Sequence, residues 1–276
     1  MFFLSVSGRL DTMPQGIRIN KYISDAGVCS RREADALIKK GKVTIDGRQA
    51  VCGDQVLTGS VVRLDGKELS GRREKVYLAY NKPKGVVCTS DKREKNNIIE
   101  VLHYPISVTY AGRLDKNSEG LLLLTNDGEL IDRLMRSRNA HEKEYLVTVD
   151  RKMTKDFLKA LRSGVYLEEL GVTTRPCKVR GLSDRSFEIV LTQGLNRQIR
   201  RMCEVYGYQV RKLIRVRVAN IELGNLKTGQ LRELTGEELK RLKEIIQEDD
   251  YGKDGEDTRA DGAFKQGVEG LLPGEH

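Results

Sequence analysis

The chain has 276 residues, of which 38% are hydrophobic and 32% charged, and its formal net charge is +9. No apolar run is long enough to predict a transmembrane helix. The chain has five cysteines without a Cys-x-x-Cys pair and three scattered histidines, which predict neither a disulfide framework nor a metal site. A cysteine pattern without disulfides favours the reducing cytoplasm. Residues 248–276 hold nine acidic against three basic side chains, so the rest of the chain carries +15; this favours a polyanionic partner such as nucleic acid, although a solvated lysine-rich surface would give the same charge.

The composition along the chain predicts four segments. They are a flexible leader at 1–16, a first domain at 17–75, a second domain at 76–246 and an acidic, disordered tail at 247–276. The stretch 71–75 is charged, contains a glycine and has no apolar anchor, which predicts a hinge between the domains. The tail is rich in Gly and Asp and poor in apolar residues, as segments that stay unfolded are.

The first domain is predicted to contain two helices followed by small strands. The first helix covers Asn20 to Ala26. Ser30 and Glu33 form the pattern of a capping box, in which both side chains satisfy free backbone amides, so a second helix begins at Arg31. Two β-hairpins with Asp-Gly turns follow.

This arrangement resembles the RNA-binding domain named after the fourth small-subunit ribosomal protein. The matching segments are Asn20-Lys21-Tyr22-Ile23, Ser30-Arg31-Arg32-Glu33-Ala34 and Gly41-Lys42-Val43. Arg31 and Arg32 fall in the first turn of the second helix, where the helix dipole disfavours cations, so a role beyond helix stability is indicated. With Lys42 nearby, we expect them to contact RNA phosphates; the alternative is two solvated arginines on a short helix.

The second domain is predicted to mix strands and helices with short connections, which indicates an α+β fold. The predicted strands are Val76 to Tyr80, Gly85 to Cys88, Leu121 to Thr125, Tyr145 to Val149, Phe187 to Leu191 and Leu213 to Val218. The predicted helices are Glu129 to Arg136, Thr154 to Arg162, Asn196 to Tyr206 and Thr235 to Ile246, the last with a capping box of Thr235 and Glu238.

A polar segment before the strand at 121–125 contains an aspartate that a loop does not need. Asp115 lies between Gly112 and Gly120, which permit close approach of the backbone to another group. This setting favours an ionised carboxylate that is presented to a ligand. For an isolated aspartate the ordinary interpretation would be a surface pair with Arg113 or Lys116.

The run Gly-Arg-Leu-Asp at 112–115 resembles the central catalytic motif of the RNA pseudouridine synthases. Three further segments resemble motifs of that family in the same order: 81–85, 143–147 and 194–202. Segments 141–150 and 194–204 are most similar to the branch called ribosomal large subunit pseudouridine synthase F. The resemblance implies a mixed, mainly antiparallel sheet in the second domain.

The resemblance implies that Asp115 starts the isomerisation of uridine, by attack on the sugar or the base or by removal of a sugar proton. Arg200 matches the arginine of the third motif and is expected to hold this carboxylate ionised through a bidentate contact. Tyr145 is expected to stack on the flipped uracil, although core packing is the usual role of a strand tyrosine. Leu213 is expected to form an apolar floor for the base or to be plain core.

Further basic residues in these motifs are candidates for substrate binding. Arg197, Arg200 and Arg201 are spaced by three and four residues, which predicts that they share one face of a helix and bind Asp115 and RNA phosphates. Arg113 is expected to hold the loop or a flipped-out nucleotide in place. Lys82 is expected to do similar work in the first motif.

The resemblance implies an isomerase that acts on a uridine of 23S ribosomal RNA and also on a transfer RNA anticodon, and we expect a monomer. No cofactor is expected, because the reaction involves no net oxidation or hydrolysis and the chain lacks phosphate-loop and dinucleotide motifs. A catalytically silent RNA-binding or ribosome-assembly factor with the same fold is the alternative. A hydrolase of the glycosidic bond would instead release free uracil.

Overall fold

A computed structural model describes residues 16–69, 74–91, 93–136 and 140–251, the last four by their backbone alone. The predicted leader, most of the predicted hinge and the predicted tail beyond 251 lie outside the described residues. The chain forms two compact units. Of the described residues, one unit contains those from Gly16 to Val76 with His103–Thr109 and Thr125–Gly128, and the other contains those in Tyr77–Leu102, Tyr110–Leu124 and from Glu129 to Tyr251.

The first unit contains two helices and short strands around one small core. Its elements are β1 (Ile17–Arg18), α1 (Ile19–Asp25), α2 (Arg31–Lys39), β2 (Val43–Ile45), β3 (Arg48–Gln49), β4 (Gln55–Val56), β5 (Val62–Leu64) and β6 (Lys67–Glu68). Both bonds of the predicted capping box are present, and α2 begins at Arg31 as predicted. Ile19, Ile23, Ala34 and Ile38 are buried and pack α1 and α2 onto the strands.

The second unit is built on a mixed sheet. Its strands are β7 (Tyr77–Lys82), β8 (Thr109–Ala111), β9 (Glu119–Thr125), β10 (Lys143–Val149), β11 (Tyr166–Leu167), β12 (Val172–Thr173), β13 (Lys178–Gly181), β14 (Ser186–Leu191), β15 (Val210–Val218), β16 (Ile221–Glu222) and β17 (Leu231–Glu233). Its helices are α3 (Ile98–Leu102), α4 (Gly128–Met135), α5 (Lys155–Ser163), α6 (Gln198–Val205) and α7 (Gly236–Tyr251), with a 3₁₀ turn at Glu168–Leu170.

Within the described residues, the main sheet has the strand order β13-β14-β10-β15-β9-β7-β17, with β16 beside β15 and β8 beside β9. β10 is antiparallel to both β14 and β15, whereas β15 and β9 are parallel. One core cluster lies where α5 and α6 pack on β10, β14 and β15, and a second where α4 and α7 pack on β7 and β9. The predicted α+β fold with a mixed sheet is confirmed. No helix in the described part of the chain could cross a membrane.

Three predicted elements differ in the structure. Residues 85–88 form a turn with a single β-bridge from Val87 to Asn97, because Gly85 adopts a φ of 94° that interrupts a strand. α6 starts two residues later than predicted, because the backbone of Arg197 adopts the left-handed conformation with a φ of 52°. α7 keeps its predicted capping box but continues to Tyr251, so the first residues of the predicted tail are helical.

An irregularity in the pairing of β10 with β15 decides which way two arginines point. Glu144 pairs with Arg217, but the next residue, Tyr145, pairs with Arg215, so Val216 is an extra residue on β15. Such a bulge breaks the alternation of side chains between the two faces of a strand. Arg215 therefore shares the face of Tyr145, whereas Arg217 shares the opposite face with Glu144.

Candidate active site

A cavity of about 230 Å³ lies in the second unit, where the loop after β8, the start of β10, the start of α6 and the middle of β15 meet. Its volume is below the about 300–1,000 Å³ of pockets for drug-sized molecules, so it suits a single base. Its ionisable lining is Arg113, Asp115, Arg136, His141, Lys143, Tyr145, Arg197, Arg200 and Arg215. Asp115 is the one carboxylate in this lining of described residues.

The loop that carries Asp115 is held by its backbone. The N–H of Leu114 donates to the buried sulfur of Cys88 at 3.5 Å, and the N–H of Ser118 donates to the carbonyl of Asp115 at 3.0 Å. The N–H of Gly85, in the first motif, donates to the carbonyl of Lys116 at 2.7 Å. The loop is therefore fixed on both sides of Asp115, whose own side chain is 37% exposed.

Lys82 supports this loop from behind. Its side chain is fully buried, and its ammonium donates to the carbonyls of Pro83 at 2.9 Å and Val86 at 2.7 Å. Burial lowers the pKa of Lys82, while nearby Cys88, Glu119 and Asp115 act to raise it. Lys82 does not line the cavity, so the structure gives it the work of shaping the first-motif turn and not a contact with a ligand there.

Arg200 reaches Asp115, but not in the predicted way. Its Nε lies 4.0 Å from Oδ2 of Asp115 and makes no hydrogen bond within the described residues. Its terminal nitrogens donate to the carbonyls of Asn117 at 2.9 Å and Val210 at 3.2 Å, and to Oγ of Ser118 at 3.3 Å. The predicted bidentate contact is therefore wrong, because the terminal nitrogens of the guanidinium donate to carbonyls of the loop and of β15. Burial and Arg197 lower the pKa of Arg200, and Asp115 acts against them.

The predicted common face of three arginines is also wrong. Arg197 precedes α6, is exposed, lines the cavity and lies 3.8 Å from Glu204. Arg201 does not line the cavity; it pairs with Glu169 and donates to the carbonyl of Asn196 at 3.0 Å. The left-handed residue at 197 breaks the helical spacing on which the prediction depended.

Tyr145 and Leu213 form the apolar side of the cavity. Both line it, and both also take part in the core cluster around α5 and α6, so core packing is confirmed and their contacts with a base stay predictions. Their strands are neighbours, and β15 in turn lies close to β9 at Gly120. A Cβ at Gly120 would lie 2.7 Å from the backbone nitrogen of Arg215 and closer still to its carbonyl oxygen, so glycine is required there.

The remaining candidates lie on exposed surfaces. Arg113 lines the cavity and is exposed, and its expected contact with a nucleotide stays a prediction. In the first unit, Arg31 and Arg32 are exposed in the first turn of α2. Lys42 is paired with Asp65 at 3.2 Å, an exposed pair of small energetic value that leaves its charge accessible.

Sequence reasoning missed three cations of the cavity, Arg136, Lys143 and Arg215. Lys143 was noted within a motif without a role of its own, although a lysine two residues from Tyr145 on a strand must share its face. Arg215 follows Leu213 by two residues on the same strand, so alternation from Leu213 could have placed it in the cavity. Among the described residues, no group of three or more metal-binding side chains occurs.

Comparisons with known proteins agree with the motifs. The family model of RNA pseudouridylate synthase matches residues 76–205, and that of the S4 domain matches residues 17–62. The chain is 46% identical over 233 residues to the dual-specificity RNA pseudouridine synthase RluF of Escherichia coli strain K12. The aligned region covers 84% of this chain and 80% of that protein. It is 35% identical over 243 residues to ribosomal large subunit pseudouridine synthase B of Bacillus subtilis strain 168, which covers 86% of this chain and 98% of that protein.

A crystal structure of a pseudouridylate synthase is also similar. It superposes with a TM-score of 0.61 at 29% identity and covers 82% of this chain and 99% of that one. The family predicted from the four motifs is thereby confirmed, together with the N-terminal S4 domain. This chain belongs to the family of RNA pseudouridine synthases.

Proposed function

We propose that this chain converts a uridine of 23S ribosomal RNA into pseudouridine, that a transfer RNA anticodon is a second target, and that Asp115 starts the reaction. The name of the Escherichia coli relative, a dual-specificity synthase, and that of the Bacillus subtilis relative, a large-subunit synthase, support this choice of substrates. The enzyme works as a monomer in the cytoplasm and uses no cofactor.

The observation that carries the proposal is the position of Asp115. Its carboxylate lies in a cavity sized for one base, 4.0 Å from Nε of the buried Arg200, with Tyr145 in the same lining. The buried guanidinium of Arg200 places a positive charge beside this carboxylate. Attack on the substrate and proton removal both need a carboxylate and not a carboxylic acid.

The reaction requires the uridine to leave its stack, which costs a few kcal/mol and is easiest in a loop or bulge. Tyr145 offers a flat ring on which the extruded base can stack, and Leu213 offers an apolar surface on which it can turn. The bond between C1′ and N1 breaks, the base rotates, and C5 bonds to C1′. A proton leaves C5 and N1 gains one, so product and substrate are isomers.

Two surfaces of different kinds serve the RNA. Arg113, Arg136 and Arg197 are exposed at the cavity and suit phosphates next to the target nucleotide. Arg31 and Arg32, in the first unit, suit phosphates elsewhere on the RNA. The first set positions the target, and the second adds affinity that depends on salt.

The test is a pseudouridine assay with purified chain and a 23S ribosomal RNA transcript. We expect the wild type to form pseudouridine and Asp115→Asn to form none while it binds RNA with unchanged affinity. Asp184→Asn is the matched control, because this carboxylate is 71% exposed and pairs with Lys152 on the surface; it should retain full activity. Free uracil among the products would indicate a hydrolase, and wild type that binds RNA without converting it would indicate a silent binder.

A further inference from the structure

Two cations in the cavity have no role in the mechanism described so far. Arg215 is 3% exposed, and Lys143 is largely enclosed. The ammonium of Lys143 donates to the carbonyl of His141 at 3.2 Å, which leaves it two further protons to donate. Nε of Arg215 donates to the carbonyl of Leu121 at 2.7 Å, but its buried Nη2 makes no hydrogen bond within the described residues.

The fold places these cations beside the expected position of the base. Lys143 and Tyr145 are two residues apart on β10 and share a face, and Arg215 pairs with Tyr145 across the strands. Arg215 keeps this face by regular alternation from Leu213, and the bulge at Val216 turns Arg217 to the opposite face. Arg217, on the other face, pairs with Glu142 at 3.0 Å and Glu144 at 2.8 Å.

The contrast between the two arginines indicates a ligand for Arg215. Buried cations that lie close together destabilise a protein unless anions or hydrogen-bond acceptors pair with them. Arg217 forms ion pairs with two carboxylates of the protein, whereas Arg215 lies near another cation, Lys143. The pKa of Lys143 is lowered to about 8 by burial and then by Arg215, so each cation adds to the cost of the other. An acceptor that enters the cavity would relieve both.

We infer that Lys143 and Arg215 form a subsite that binds the carbonyl oxygens of the target uracil, selects uracil over cytosine, and stabilises negative charge on the departing base. This inference rests on the proposed function of the same cavity. Both side chains can only donate hydrogen bonds. Uracil, like thymine, presents an oxygen acceptor at position 4, whereas cytosine presents an amino donor there. Two donors facing this position accept uracil and reject cytosine.

The same contacts assist bond cleavage. When the bond between C1′ and N1 breaks, its electron pair stays with the base, and resonance places that charge on O2 and O4. In each route open to Asp115, electron density reaches these oxygens before C5 bonds to C1′. Cations fixed in advance at the site of developing charge lower the barrier without reorganisation, and both residues keep their protons throughout. We do not assign a phosphate to this subsite, because the exposed arginines of the cavity, Arg113, Arg136 and Arg197, are the ones suited to RNA phosphates.

The first experiment measures base discrimination in binding. The probe is a hairpin from the transcript with uridine or cytidine at the target position, and the chain carries Asp115→Asn so that no conversion occurs. We expect the uridine hairpin to bind about 10- to 100-fold more tightly than the cytidine hairpin. Addition of Lys143→Met should remove most of this preference. Addition of Arg136→Gln, which removes an exposed charge from the same cavity, should weaken both hairpins equally and keep the preference.

The second experiment measures chemistry with Asp115 intact. Lys143→Met should slow single-turnover conversion by about 100- to 1,000-fold, and Lys143→Arg, which keeps the charge, should recover most of the rate. If Lys143→Met does not fold, the Asp115→Asn chain is tested with 2-pyrimidinone at the target, a base without O4. It should bind about tenfold more weakly than uridine.

The outcomes separate this inference from the proposed function. Wild type that forms no pseudouridine contradicts the proposed function itself. Wild type that forms pseudouridine, while Lys143→Met keeps its rate and its preference for uridine, overturns the subsite alone. Equal binding of uridine and 2-pyrimidinone overturns it too.

Discussion

Replacement of Lys143 by methionine should stabilise the folded chain, because the wild type carries a charge in a place that disfavours it. The pKa of Lys143 falls from 10.5 to about 8 on folding, mainly through burial. A difference of this size corresponds to about 3 kcal/mol of the free energy of unfolding at neutral pH. Loss of the hydrogen bond to the carbonyl of His141 offsets about 1 kcal/mol. We therefore expect a gain of about 2 kcal/mol at pH 7.

The pH dependence of this gain gives the prediction its sign. The pKa of Lys143 is lower in the folded than in the unfolded state, so the charge costs stability in full below pH 8. The cost disappears as the pH rises from about 8 to about 10.5, where the unfolded state also loses the proton. The difference in stability between variant and wild type should shrink over that interval.

Urea unfolding followed by circular dichroism at pH 7 and pH 10.5 measures this difference. Lys212→Met is the matched control, since Lys212 is an exposed lysine on β15, and it should change stability little at either pH. A Lys143→Met variant that is less stable than wild type at pH 7 would refute the reasoning. So would a stabilisation that is just as large at pH 10.5.

Three further outcomes test other parts of the structure. Arg200→Lys should slow single-turnover conversion about 100-fold, because one ammonium cannot serve the carbonyls of Asn117 and Val210 and the carboxylate of Asp115 together; turnover near that of wild type would contradict this. Gly120→Ala should lower the free energy of unfolding by more than the about 1–3 kcal/mol of backbone strain alone, whereas Gly171→Ala, where a Cβ meets open space, should show the strain alone. The pair Arg31→Gln and Arg32→Gln should each reduce the slope of log affinity against log salt by about 1, and an unchanged slope would argue against phosphate contacts.

The motifs located the site because chemistry restricts residue type more tightly than packing does. Asp115, Tyr145 and Arg200 are far apart in the chain, yet all three line one cavity. The capping boxes at Ser30 and Thr235 placed two helices well, because these signals are local. The α+β class followed from the alternation of strand and helix patterns.

What sequence reasoning could not supply depends on the backbone. Arg201 was assigned to the cavity by helical spacing, which fails because Arg197 is left-handed and precedes the helix. The contact of Arg200 was expected to be bidentate because guanidinium and carboxylate match, but the carbonyls of the loop compete for the same donors. The first error comes from a local backbone conformation and the second from contacts between distant segments, and residue types alone specify neither.

The extra residue at Val216 makes the electrostatics of the cavity a matter of strand register. If the register shifted so that Val216 paired with Glu144, the bulge would be lost, and Arg215 and Arg217 would point to a common face as residues i and i+2 of a regular strand. Every ionisable group would still be present, yet a further guanidinium would face the cavity, and Glu142 and Glu144 would lose the one that now pairs with them. For an engineer, the pairing of this strand therefore matters more than exchanges of charge, and a redesign that preserves composition but shifts the register would change the charge arrangement of the cavity.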